Sequence, residues 1–362
     1  MTIIQSESFI FDPRPFIPLV TTVKRYWGPS TTLNDDNPTA LTLIFAHGTG
    51  FHKEHWEPSI EDLYDIVEQQ SNPASRLRIR EVWSIDAPNH GDAAVLNEGV
   101  LQWSYEPIFR WDDYGRMIHA FLAGLGKGVN ADFRGHNLVG IGHSMGAISM
   151  LLSLNYFPSL TFQSIILIEP MTMSQSNSVG PSNFLAEGAA KRRDTWASKE
   201  EAYKSFKSRK AWAGWDDRVL RIYVECGLRE LPTGEYPDKE QKGVTLKCTR
   251  RQETASYRDT HGFSIIYRDF ATYCKRVPIH SDTNDPSPTH PNSPSQVKQD
   301  VNDNAVGGVH NFASFSRVEG AGHLAPQTHP RGVAERIYEA LTMTGHNRTR
   351  TPIQKGQVTA KL

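Results

Sequence analysis

Gly142-His143-Ser144-Met145-Gly146 sets a serine between two glycines in a G-x-S-x-G spacing, between an apolar run expected as a strand and one expected as a helix. That context points to nucleophilic acyl transfer, because a sharp strand-to-helix turn pushes the serine hydroxyl into the open at a sheet edge. Gly142 and Gly146 are needed there, since side chains would collide with the neighbouring strand and helix. A serine hydroxyl is a weak nucleophile at neutral pH and requires a base. His323 is the candidate, in the glycine-bracketed string Glu319-Gly320-Ala321-Gly322-His323 after the last expected strand. A carboxylate must then orient the imidazole and stabilise its charged form. Two places are open for it: Glu169, which ends the strand after the nucleophile, and Asp282 or Asp285, beyond the next strand. Glu169 is favoured, because a carboxylate at a strand end ahead of Pro170 is better preorganised than one in a Ser-Pro segment.

The developing oxyanion needs donors as well. The backbone N–H of Met145, at the positive end of the helix that follows Ser144, is one. The other comes from His47-Gly48-Thr49-Gly50, through the N–H of Thr49 or of Gly50. His47 and His143 flank these turns as structural neighbours. His47, His52, His55 and His90 match no familiar metal-ligand spacing, so no metal is expected.

These residues sit where alternating elements would place them. Leu41 to Ala46, Val82 to Ile85, Asn137 to Ile141 and Ser164 to Ile168 are β-rich runs that stop at glycine or polar turns. Helix-compatible stretches lie between them at Ile60 to Gln70 and Tyr114 to Gly124, with another, Ala147 to Leu154, after the third run. Strands and helices in alternation predict an α/β fold with a mostly parallel, doubly wound sheet, whose ligands sit at the strands' carboxyl ends. From Met171 the sequence turns charged and helix-favouring, with Trp196, Trp212 and Trp215, as in an inserted helical cap. The expected organisation is core 1–170, cap 171–260, core 261–343 and a flexible tail 344–362. Within the second core part, 281–309 is dense in Pro, Ser, Asn and Asp and is expected to be a disordered insertion. A last strand, Phe312 to Val318, and a last helix, Pro330 to Thr342, complete the pattern.

Composition narrows the partners. With 39 Lys and Arg against 40 Asp and Glu, the formal charge of -1 gives no field to attract nucleic acid. The apolar runs are too short to span a bilayer, and no basic stretch leads into a long apolar one at the N-terminus, so a soluble intracellular protein is expected. Cys226, Cys248 and Cys274 are odd in number and far apart, which indicates neither a disulfide framework nor a zinc knuckle. Ala360-Lys361-Leu362 differs by one residue from the S-K-L peroxisomal signal and follows a polar tail that an import receptor could grip.

The strings HGTGFHKEHWEP, DAPNHGD and GIGHSMGA, with the terminal GAGH, resemble the α/β-hydrolase superfamily from about residue 40 to 340. Together with Ala-Lys-Leu they resemble its fungal peroxisomal α/β-hydrolases, a group that includes yeast peroxisomal lipase, host-selective toxin biosynthesis hydrolases and the mycophenolic acid acyl-CoA hydrolase. The resemblance implies a serine hydrolase that cleaves an acyl-CoA thioester or lipophilic ester without a cofactor, in fungal secondary metabolism. In that group the acid follows the strand after the nucleophile, which matches Glu169, although Glu replaces the commoner Asp. A lipase or carboxylesterase is the alternative, and a noncatalytic ligand-binding protein on the same fold is an alternative of another class. The Trp-bearing cap suggests a hydrophobic acyl group. Lys191-Arg192-Arg193 is a candidate for coenzyme A phosphates, against the plainer reading of a solvated helix face.

Overall fold

Leu41–Ala46, Ile79–Ile85, Asn137–His143 and Phe162–Ile168 are strands buried along nearly their whole length, as parallel strands covered by helices on both faces must be. The computed structural model describes residues 4–28, 37–71, 76–174, 183–283 and 294–346. In chain order its strands are Gln5–Phe11 (β1), Thr21–Trp27 (β2), Leu41–Ala46 (β3), Ile79–Ile85 (β4), Asn137–His143 (β5) and Phe162–Ile168 (β6), then Thr195–Trp196 (β7), Leu228–Glu230 (β8), Val244–Leu246 (β9), Ile279–Asp282 (β10) and Ser314–Ser316 (β11).

Among the described residues the main sheet has eight strands, ordered β1-β2-β4-β3-β5-β6-β10-β11. From β4 to β11 every pair is parallel. The strands β1 and β2 add an antiparallel edge that the apolar pattern did not announce. Most of β1 is exposed, and its sequence QSESFIF has too few apolar residues to read as a buried strand. Helices Trp111–Leu122, Met145–Leu152 and His261–Arg276 pack on one face, and Glu57–Glu68 and Pro330–His346 on the other. Pro58 lies in the first turn of its helix, where no N–H is needed. Because the central strands run the same way, their carboxyl ends share one edge, and the loops bearing Thr49, Ser144, Glu169 and His323 all emerge toward it.

Between β6 and β10 the cap is mostly helical, with Lys199–Lys207 and Asp217–Gly227 as its longer helices before Arg250–Tyr257. It also carries a short antiparallel sheet, β7-β9-β8, that the helix-favouring composition hid. Ser198 and Asp216 cap the two longer helices through their side chains. Helix Arg250–Tyr257 fastens cap to core: Phe109 N–H donates to the Ala255 carbonyl at 3.1 Å and Trp111 Nε1–H to the Ser256 carbonyl at 2.8 Å.

The expected disordered insertion 281–309 turns out differently in the parts that are described. Ser281 and Asp282 end β10, and Pro294–Asp300 is a helix that continues into a π-helical turn, Val301–Ala305. Val301, Ala305 and Val306 are buried in the main core, three small apolar anchors that the Pro, Ser and Asn content masks. Residues 284–293, with Asp285, lie outside the described residues, as does Ala360-Lys361-Leu362. No helix among the described residues is long and apolar enough to cross a membrane.

Candidate active site

Ser144 sits between β5 and helix Met145–Leu152 with φ 53° and ψ −116°, a left-handed conformation that a non-glycine residue adopts only under constraint. The constraint is tight packing of the turn. A Cβ on Gly142 would lie 2.5 Å from Ala147 Cα, and one on Gly146 would lie 2.3 Å from the Ala46 carbonyl oxygen. Ser144 N–H donates to the Ile168 carbonyl at 3.1 Å, which ties the turn to β6.

The structure brings His323 and Glu169 to this serine. Ser144 Oγ lies 3.0 Å from His323 Nε2, and His323 Nδ1 lies 3.4 Å from Glu169 Oε2. The second is a long hydrogen bond, as is common before substrate closes such a site. The Glu169 side chain is fully buried while that of His323 is 42% exposed. Burial works against the Glu169 charge, but the His323 hydrogen bond and the Lys298 ammonium outweigh it and hold the carboxyl at about 2. Lys298 Nζ is 2.6 Å from the same Oε2.

Asp282, the alternative acid, is the neighbour of Glu169, whose N–H donates to the Asp282 carbonyl at 2.8 Å. Its buried carboxyl is pushed up to about 7, first by burial and then by the Glu169 charge, with Arg336 pulling the other way. Near neutral pH, Glu169 is therefore a fixed anion and Asp282 is not. Among the described residues, His323 makes its carboxylate hydrogen bond to Glu169.

His143, the residue before Ser144, holds the loop that carries His323. Its Nε2–H donates to the His323 carbonyl at 2.8 Å, and burial above all pushes its imidazole down to about 3, so it stays neutral.

The HGTG loop is held by residues whose part the sequence reading did not identify. Gly50 N–H donates to His90 Nε2 at 2.9 Å, which commits that donor and leaves Thr49 as the candidate of the two. Thr49 also touches Met145, the other candidate donor, its hydroxyl reaching Met145 Sδ at 3.3 Å. His90 Nδ1–H donates to Asn89 Oδ1 at 2.7 Å, and Asn89 Nδ2 donates to Ser256 Oγ at 2.9 Å on the cap-side helix. Burial keeps His90 neutral, so its second nitrogen is available as an acceptor. His47 acts similarly, donating through Nδ1 to the Gly48 carbonyl at 2.8 Å and accepting from Ala87 N–H at 3.0 Å. The DAPNHGD string was the available signal, but which backbone N–H each imidazole meets depends on a contact across forty residues. Among the described residues no group of three His, Cys, Asp or Glu is arranged to hold a metal ion.

Two features of the cap differ from expectation. Arg192 points inward, 2.8 Å from both Glu253 Oε2 and the Tyr223 hydroxyl, and is already paired rather than presented to a phosphate. Arg193 meets Glu201 at 2.7 Å, and Lys191 is exposed. The tryptophans form the cap's own core: the rings of Trp212 and Trp215 meet at a tilt with centroids 4.3 Å apart, and Trp196 packs on Phe206 at 5.0 Å. What that cluster covers is Phe51 and Leu324, the apolar neighbours of the HGTG loop and of His323.

A mostly parallel sheet with a serine elbow, a histidine after the last strand and an interposed cap defines the class of α/β hydrolases. Residues 43–336, most of the chain, match the alpha/beta hydrolase family, and the protein belongs to it. Among curated relatives, the Penicillium brevicompactum protein named Type I acyl-CoA thioesterase mpaH is 30% identical over 236 residues, 61% of this chain and 48% of the relative. The Saccharomyces cerevisiae protein named Peroxisomal membrane protein LPX1 is 27% identical over 255 residues, 67% of this chain and 62% of the relative. The matches thus span about half of these relatives' length. The solved structure of peroxisomal alpha-beta-hydrolase Lpx1 from Saccharomyces cerevisiae has a TM-score of 0.69 at 21% identity, covering 98% of this chain and 93% of that one. A thioesterase domain from the curacin biosynthetic pathway has a TM-score of 0.55 at 14% identity, covering 93% and 99%. These likenesses support the fold.

Proposed function

We propose that the protein is a serine hydrolase that cleaves an acyl-CoA thioester, with a lipophilic ester as the second candidate substrate. The carrying observation is Ser144 Oγ, at a strained elbow, lying 3.0 Å from His323 Nε2. In this reading Ser144 attacks the acyl carbonyl while His323 takes its proton, and Glu169 stabilises the imidazolium. The N–H groups of Thr49 and Met145 receive the oxyanion. His323 returns the proton to the departing thiol or alcohol, and a water activated by the same imidazole releases the acyl group from Ser144. The name of the Penicillium relative supports the thioester. The name of the yeast relative and the terminal Ala360-Lys361-Leu362 support residence in the peroxisome. The resemblance of the sequence to fungal peroxisomal hydrolases extends the reading to secondary-metabolite, including toxin, biosynthesis.

The test is activity-based. A fluorophosphonate probe should label the wild-type protein and not Ser144→Ala, and turnover of acyl-CoA thioesters should exceed that of p-nitrophenyl esters. An unlabelled wild-type protein would favour a noncatalytic binding protein, and a preference for the esters would favour a lipase or carboxylesterase.

The neutral His90 that accepts from Gly50 gives a further prediction. His90→Leu removes the acceptor that holds the oxyanion loop and should lower kcat by about tenfold or more, with KM little changed. His90→Gln, which keeps an acceptor, should retain more of the rate. Steady-state kinetics on the two variants checks this, and equal losses in both would remove His90 from the account.

A further inference from the structure

Lys298 lies on helix Pro294–Asp300, in the stretch whose composition suggested disorder, yet its ammonium reaches the buried carboxylate beside His323. Its place is enforced from the C-terminal end of the helix. The Tyr267 hydroxyl donates to Asp300 Oδ2 at 3.1 Å, and the turn that follows the helix buries Val301 and Ala305 in the core. The ammonium and the imidazole share one acceptor, Glu169 Oε2, at 2.6 and 3.4 Å. The shorter contact belongs to the cation that takes no part in proton transfer.

We propose that Lys298 is a positioning residue of the catalytic site: its ammonium pins the Glu169 carboxylate and, by partly cancelling its charge, weakens the stabilisation that the carboxylate gives to the His323 imidazolium. The inference rests on the catalytic reading above. A glutamate has one more rotatable bond than the aspartate usual at such a position, so an anchor at Oε2 also limits the orientations it can take toward Nδ1. The effect on the base follows from Coulomb's law. The two contacts place the ammonium within about 6 Å of Nδ1, where like charges repel and disfavour the imidazolium. Among the described residues, the other titratable or charged groups that act around the pair include His143 from β5, which is neutral, Asp282 from β10, and Arg336 from the last helix, which acts on Asp282.

The sign of the test is fixed by this arrangement. Removing the ammonium stabilises the imidazolium and raises the pH at which His323 loses its proton. The rate-limiting acid limb then moves to higher pH, while the high-pH plateau is kept. The experiment compares fluorophosphonate labelling rate against pH for the full-length wild type, Lys298→Met and Lys298→Arg, with thermal melting as a check of folding. In Lys298→Met the acid limb should move up by about one pH unit, and Lys298→Arg should keep the wild-type limb. Titration of the His323 imidazole by NMR gives the same shift independently of turnover. A folded Lys298→Met protein with an unmoved limb and an unmoved His323 titration would overturn the proposal. Failure of the wild type to label would instead overturn the catalytic reading beneath it.

Discussion

His323→Ala is expected to lower kcat on the order of 10⁶-fold, the scale of losing the base from a serine-histidine pair that works as a unit. Glu169→Ala should cost about 10⁴-fold, because the imidazole would keep its place near Ser144 but lose the anion that stabilises its charged form. Asp282→Asn should stay within about tenfold of wild type. At neutral pH that buried carboxyl is already close to half protonated, pushed up by burial and by its Glu169 neighbour, so removing its charge changes little. The three variants separate the two strand ends offered for the acid. Steady-state kinetics on folded proteins, with labelling of Ser144 as a second readout, checks the order of the losses. A loss for Asp282→Asn as large as that for Glu169→Ala would move the acid to β10.

Lys53→Met is expected to be the most damaging single change to stability away from the catalytic residues, by about 3–5 kcal/mol. Lys53 is buried, with its ammonium 2.8 Å from Glu54, 3.0 Å from Asp86 and 2.8 Å from Asp92. Asp86 in turn accepts from Lys53 N–H at 2.8 Å and the Thr22 hydroxyl at 2.6 Å, so one carboxylate joins β2, the end of β4 and the segment after the HGTG loop. A methionine would fill the space of the chain and leave the buried carboxylates of Glu54 and Asp86 without that cation.

The pH dependence of that stabilisation follows from the directions of the shifts. Burial opposes the Lys53 charge, but the carboxylates outweigh it and raise the group above its ordinary 10.5, so its contribution is present below that value and lost in strong alkali. Burial likewise opposes the Glu54 charge, but His52 and Lys53 hold it below its ordinary 4.5, so that contribution is present above 4.5 and lost as the solution becomes acid. The difference between wild type and Lys53→Met in urea unfolding should therefore be flat between about pH 5 and pH 10 and shrink in acid. A difference under about 1 kcal/mol at pH 7 would mean that the cluster is no more than a surface-like pair.

Much of the site could be read in the chain because its signals are local. The run Leu41 to Ala46 is a strand with those same bounds, and a serine flanked by Gly142 and Gly146 reports a turn whose sterics involve only a few residues on either side. The alternation of strands and helices and the position of a histidine after the last strand follow from the same short-range punctuation. The polar edge strand β1 escaped because period and hydrophobicity carry little signal in a strand that is exposed over most of its length.

What the chain order by itself determined is which residue types stand at the ends of strands; what only the folded molecule decided is which of them meet. Glu169 and Asp282 reach the same edge on paired strands, with Asp282 in register with Ile168, and the imidazole lies against one of them. Arg192 turned from a surface charge into a partner of Glu253, and Lys298 arrived from a stretch that looked unstructured. Such contacts join residues far apart in sequence, and their strength comes from excluding water around charges. Local composition cannot report that exclusion, because it exists only after the layers have packed.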